Sequence, residues 1–133
     1  MKVLKTIKLF IDGQFPRTES GRSYPSFFHN SEKEYARLCQ GSRKDLRNSV
    51  EAAKKAQSGW GSRSAYNRGQ ILYRMAEMLE GKRDEFNRLF NDTLGLDETT
   101  SNEAIDSGIN SLVHYAGMSD KYEQLLGSKN PVN

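Results

Sequence analysis

The chain has 133 residues, 35% of them hydrophobic and 28% charged, a length that points to one domain and a composition that suits helices with wide charged faces. Twenty basic and 17 acidic residues leave a net charge of +3 with the signs interspersed, which argues against a nucleic-acid-binding surface. No run approaches the ~20 apolar residues of a membrane span, and Lys8 and Asp12 break the opening MKVLKTIKLFIDGQF before it could act as a signal peptide.

In chain order, residues 6–15 alternate in the manner of a strand, with Ile7, Leu9 and Ile11 set against Lys8 and Phe10. Asp12-Gly13 predicts a tight hairpin, because both residues tolerate the positive φ that such turns need. Pro16 interrupts the returning arm and makes it an edge strand. A second turn falls at residues 19–22, a short extended piece at 23–28, and a strand at 34–39 (EYARLC).

The first helix opens at Ser42, with Asp45 three residues on as a capping box with a short acid. Leu46, Val50, Ala53 and Trp60 recur at helical spacing. Gly59-Trp60-Gly61 is read as the stop, closed by a left-handed glycine, with Trp60 folded back onto the core. Ser64 caps a second helix whose apolar face is Ile71, Leu72, Met75, Ala76 and Leu79, ending at Gly81. A third helix spans residues 82–94, with Phe86, Leu89, Phe90 and Leu94 facing inward. Residues 94–97 break the chain, and Thr99-Thr100-Ser101 is read as the cap of a fourth helix. Its stripe is Ile105, Ile109, Leu112, Val113, Ala116 and Tyr122, and it is expected to reach Leu125 or Leu126. The fold class is mainly α with a small β part: an N-terminal β-hairpin followed by about four amphipathic helices. It is read as a single domain over residues 1–133. The hairpin and extended region take 1–40, the helices 41–127 and a polar tail 128–133.

Four stretches resemble the N-terminal segment of the NAD(P)-dependent aldehyde dehydrogenases. KLFIDGQF is similar to that family's opening hairpin. YARLCQGSRKDLRNSVEAAKKAQSGW is similar to its strand and first helix, and SAYNRGQILYRMAEMLEGKRDEF to the helices after them. HYAGMSDKY is similar to the Tyr-Tyr-Ala-Gly-Trp-Ala-Asp-Lys segment of the fourth helix. The resemblance runs from about Lys8 to Asn133. It departs at Phe28-His29-Asn30-Ser31-Glu32, where the family has Asn-Pro-x-Thr-Gly, so the turn there is expected to be remodelled or looser. It departs again at Met118, where the family has tryptophan, and at LGLDETTSNEA, where it has Thr-Gly-Lys-Pro.

The resemblance implies a parent reaction in which an aldehyde becomes an acid through a thiohemiacetal and hydride transfer to NAD or NADP. In the family, the oxyanion-holding Asn, the cofactor lysine, the Gly-rich turn, the general-base Glu and the nucleophilic Cys lie beyond the matched segment. No catalytic, cofactor-binding or metal residue is therefore assigned, and no cofactor is expected for this chain alone. The expectation is a segment that is not catalytic by itself. The alternative is a helical interaction module that self-associates or binds a dehydrogenase subunit, with no nucleic-acid or membrane partner.

The individual candidates read the same way. Cys39 is the sole thiol, so no internal disulfide forms, which fits a reducing, cytoplasmic setting. It is read as structural rather than nucleophilic, since a nucleophile needs a thiolate-stabilising setting and a base. His29 and His114 have no Cys or carboxylate at ligand spacing. Gly59-Trp60-Gly61 follows a helix, whereas a dinucleotide fingerprint follows a strand. Asp106 falls near a structural cation position of some family members, but is read as a solvated helix carboxylate. Tyr24, Phe27 and Phe28 are read as packing on the helices rather than as base-stacking groups.

Overall fold

The computed structural model describes residues 4–122. Three short strands, β1 (Thr6–Ile7), β2 (Ser23–Phe27) and β3 (Glu34–Cys39), form a mixed sheet in the order β1-β3-β2. β1 runs parallel to β3 and pairs Thr6 with Arg37, whereas β2 runs antiparallel and pairs Ser23 with Cys39. Pro25 lies on β2, an outer strand, where its missing N–H is tolerated.

The Asp12-Gly13 turn forms as read: φ is 52° at Asp12 and 73° at Gly13, and Ile11 and Gln14 exchange two backbone hydrogen bonds of 3.0 Å. The expected strand over residues 6–15 shortens to Thr6–Ile7, and the returning arm is no edge strand: it holds only the isolated Ile11–Gln14 bridge and the Pro16 carbonyl, which accepts from Leu9 N–H at 3.0 Å. The remodelled turn between β2 and β3 is closed rather than loose. Asn30 takes the left-handed conformation (φ 50°), one that asparagine adopts more readily than most residues. Phe28 N–H donates to Lys33 O at 3.0 Å, and Lys33 N–H donates to Ser31 Oγ at 3.0 Å.

Four helices follow: α1 (Arg43–Gly61), α2 (Ala65–Glu80), α3 (Arg83–Leu94) and α4 (Glu98–Met118). α1 opens on a reciprocal cap: Asp45 N–H donates to Ser42 Oγ at 3.2 Å, and Ser42 N–H donates to the Asp45 carboxylate at 2.8 Å. Ser64 caps α2 by accepting from Asn67 N–H at 3.2 Å. The cap of α4 is Asp97, which accepts from Thr100 N–H at 2.8 Å. The expected Thr99-Thr100-Ser101 cap starts two residues too late, because the Asp97 carboxylate just before it already accepts from the Thr100 N–H. Left-handed closure by glycine occurs at Gly95 (φ 69°), which ends α3 by donating to Asn91 O at 3.0 Å. It does not occur at Gly61 or Gly81; Gly81 is right-handed, with φ −64°. α4 closes at Met118 and a turn follows at residues 119–121; the expected extension to Leu125 or Leu126 and the tail lie outside the described residues.

The described residues form two compact units. One runs through Gly61 and takes in Leu89–Leu96; the other holds Ser62–Arg88 and the described chain from Asp97 onward. In the first unit the β2–β3 loop grips the end of α3: His29 N–H donates to Asp92 O at 2.7 Å, and the His29 ring lies against Gly95. In the second, α2 packs on α4. Gly69 sits so close that a Cβ there would stand 2.7 Å from Ala116 O, and a Cβ at Gly108 would stand 3.4 Å from the Leu79 side chain. Ala76 and Ile105 are buried in this second unit, and Ala36 in the first; they are the buried hydrophobic residues among those described.

Several inward assignments fail. Leu46 is 66% exposed, Val50 48% and Trp60 44%, so the apolar stripe of α1 faces solvent and Trp60 does not fold back. Met75, Phe86, Leu94, Val113 and Tyr122 are exposed as well. Their spacing is right for helices, but spacing identifies a face without supplying what covers it.

Candidate functional site

The polar groups that are most engaged are structural. Asp45 sits buried at the start of α1. Its carboxylate accepts from the Thr18 hydroxyl at 2.6 Å and from the backbone of Glu19 at 3.3 Å, besides Ser42. The Thr18 hydroxyl, followed by the Ser42 N–H, lowers its pKa from 3.8 to about 2. The cap thus also ties the 16–22 loop to α1. Lys44 adds an exposed ion pair with Glu19 at 3.0 Å.

Arg83, at the start of α3, is the second node. Its guanidinium forks onto the Glu80 carboxylate at 2.9 and 2.6 Å, reaches Asp106 on α4 at 2.5 Å, and donates to Asn102 Oδ1 at 3.0 Å. Asn87 donates to the same Asn102 oxygen at 3.0 Å. Arginine suits this role because its fixed planar fork serves several acceptors together. The Glu80 carboxylate, followed by Asp106, holds the guanidinium above its ordinary pKa. Arg83 was absent from the sequence candidates; its one local signal was Glu80 three residues earlier. Asp106 is, as expected, an exposed helix carboxylate, and it also pairs with Arg83.

The other candidates are scattered. Cys39 is half-buried and unpaired at the end of β3, and His114 is exposed on α4 with its ring edge-on to Tyr115 at 5.2 Å. Tyr24 and Phe27 are exposed on β2, so they do not pack on the helices as expected. Phe28 packs edge-on to Tyr35 at 5.1 Å, beneath the Lys33 ammonium. Among the described residues no three His, Cys, Asp or Glu side chains gather as metal ligands.

In the doubly wound dinucleotide-binding fold, a glycine-rich turn joins a strand to the N-terminus of a helix, where backbone N–H groups meet the pyrophosphate. Gly59-Trp60-Gly61 occupies the last turn of α1 instead of following a strand, and one N–H in the first turn of each of α1, α2 and α4 donates to Ser42, Ser64 or Asp97.

A β-hairpin, a three-stranded mixed sheet and four helices in this order define the opening portion of an aldehyde dehydrogenase fold. The chain belongs to the aldehyde dehydrogenase family, whose model matches residues 16–131. The mitochondrial benzaldehyde dehydrogenase of Antirrhinum majus is 31% identical over 121 residues, 89% of this chain and 23% of that protein. The NAD-dependent benzaldehyde dehydrogenase of Corynebacterium glutamicum superposes with a TM-score of 0.80 at 30% identity, over 85% of this chain and 25% of that one. A betaine aldehyde dehydrogenase of Staphylococcus aureus, solved in complex with NAD+, has a TM-score of 0.82 at 22% identity, a likeness of fold over 86% of this chain and 24% of that one. The chain thus spans about a quarter of the length of each.

Proposed function

We propose that this chain is a scaffold segment of an aldehyde dehydrogenase-type protein and performs no oxidation by itself. The observation that carries this reading is the uncovered apolar face of α1, with Leu46, Val50 and Trp60 all exposed. Exposed apolar patches mark surfaces that meet something else, while the charged groups of Asp45 and Arg83 are spent on holding elements in place. The whole protein's reaction, in this reading, is NAD(P)-dependent oxidation of an aldehyde to a carboxylic acid. The test is an assay of the purified 133-residue chain with simple aldehydes and NAD or NADP, alongside a titration of each dinucleotide. No reduced nicotinamide and no saturable binding are expected; measurable turnover would overturn the proposal. The same uncovered face favours a second reading, an interaction module that binds a partner helix or a dehydrogenase subunit.

A further inference from the structure

Leu46, Val50, Ala53, Gln57 and Trp60 follow one another at intervals of four, three, four and three residues. That is a heptad seam with Leu46, Ala53 and Trp60 at d and Val50 and Gln57 at a. It runs for about 21 Å along α1, and every one of these residues is exposed. Midway along it, Val50, Ala53, Lys54 and Gln57 surround a shallow concavity bordered by Ala56 and Trp60. Those first four are the a, d, e and next a residues that accept a d knob in a coiled coil, and Ala53 leaves the floor low. At the other end Leu46 shares a second concavity with Phe10 and Ile11 of the hairpin.

The flanks decide the partner. The e positions are Arg47, Lys54 and the terminal Gly61, two of the three basic, whereas the g positions are Ser49 and Ala56. A second copy packed parallel would set those cations against serine and alanine, and one packed antiparallel would set Arg47 against Lys54; neither arrangement attracts. Of the acids on α1, Asp45 is buried on its own hydrogen bonds and Glu51 lies at a position away from the seam. We infer that the α1 seam is a docking site for an acidic amphipathic helix, one that inserts an apolar side chain over Ala53 and sets carboxylates against Arg47 and Lys54. The inference rests on the second reading above, an interaction module on the α1 face, and its test does not depend on whether the chain oxidises aldehydes.

Trp60 is the sole tryptophan, so its emission reports occupancy of the seam. The test titrates the full chain with two tryptophan-free, three-heptad helical peptides, both with leucine at a and d. One carries glutamate at e and g, the other lysine. The acidic peptide is expected to shift Trp60 emission to the blue, saturably, with roughly tenfold tighter binding than the basic one at low salt. That advantage should shrink in high salt. The double variant R47E with K54E, at two exposed positions, should keep its helical circular dichroism and reverse the preference. Equal binding of both peptides, no shift with either, or a preference unmoved by the charge swap would overturn the inference. So would light scattering that finds a stable dimer whose Trp60 is already blue-shifted, since the occupant would then be a second copy.

Discussion

Asp45 performs two tasks with one carboxylate. It completes the cap of α1 with Ser42, a local arrangement that three residues of sequence specify. It also holds the Thr18 hydroxyl from 27 residues away, which no local pattern announces. Both tasks need the charged form, and Thr18, then Ser42, depress the folded pKa from 3.8 to about 2. A depressed carboxylate pKa contributes stability that is full above the unfolded value and is lost as pH falls through the folded one. The stability of the first unit should therefore decline between about pH 4 and pH 2, with a weaker decline in D45N; chemical denaturation across that window checks it. D45A should lower the melting temperature more than T18A does, because it removes the cap together with the loop tether.

At the scale of elements, glycines with opposite surroundings make opposite demands. Gly69 lets α2 approach α4, and a Cβ there would crowd the Ala116 carbonyl and the Ser119 hydroxyl. Gly59 lies within α1 with nothing near its missing Cβ. G69A is expected to destabilise by about 1–3 kcal/mol through overpacking. G59A should stabilise by about 0.5–1 kcal/mol, because alanine loses less chain entropy in a helix. Thermal or denaturant melts of the two variants, read side by side, test the helix contact directly: equal effects would mean that α2 and α4 do not approach as closely as described. The caps at Ser42 and Ser64 were readable because each acts within one turn. The Arg83 node was not, because it joins residues 23 positions apart on different helices.

For the molecule as a whole, the division between buried and uncovered apolar groups governs both stability and function. Ile105 is 3% exposed and Leu46 is 66% exposed, although both sit on apolar stripes at helical spacing in the sequence. I105A should cost about 2–4 kcal/mol. L46Q should change stability by no more than about 0.5 kcal/mol while weakening any partner held on α1. Equal losses in the two variants, measured by urea unfolding, would show that α1 has an apolar contact within the chain after all.

The sequence alone determined the four helices, the strands at 23–27 and 34–39, their order and the family, because hydrophobic period, Ser42, Ser64 and the Asp12-Gly13 turn act over a few residues. Even there, the cap of α4 fell to Asp97, two residues ahead of the first expected threonine. The tertiary structure decided which stripes find a partner. Period places Leu46, Val50 and Trp60 on one face just as it places Ile105 and Ile109 on another. Burial, however, requires a second surface, and α4 has α2 whereas the α1 stripe has solvent. The same reason explains the missed polar nodes: Thr18 with Asp45 and Arg83 with Asp106 are distant in sequence, and folding alone brings them within hydrogen-bond reach.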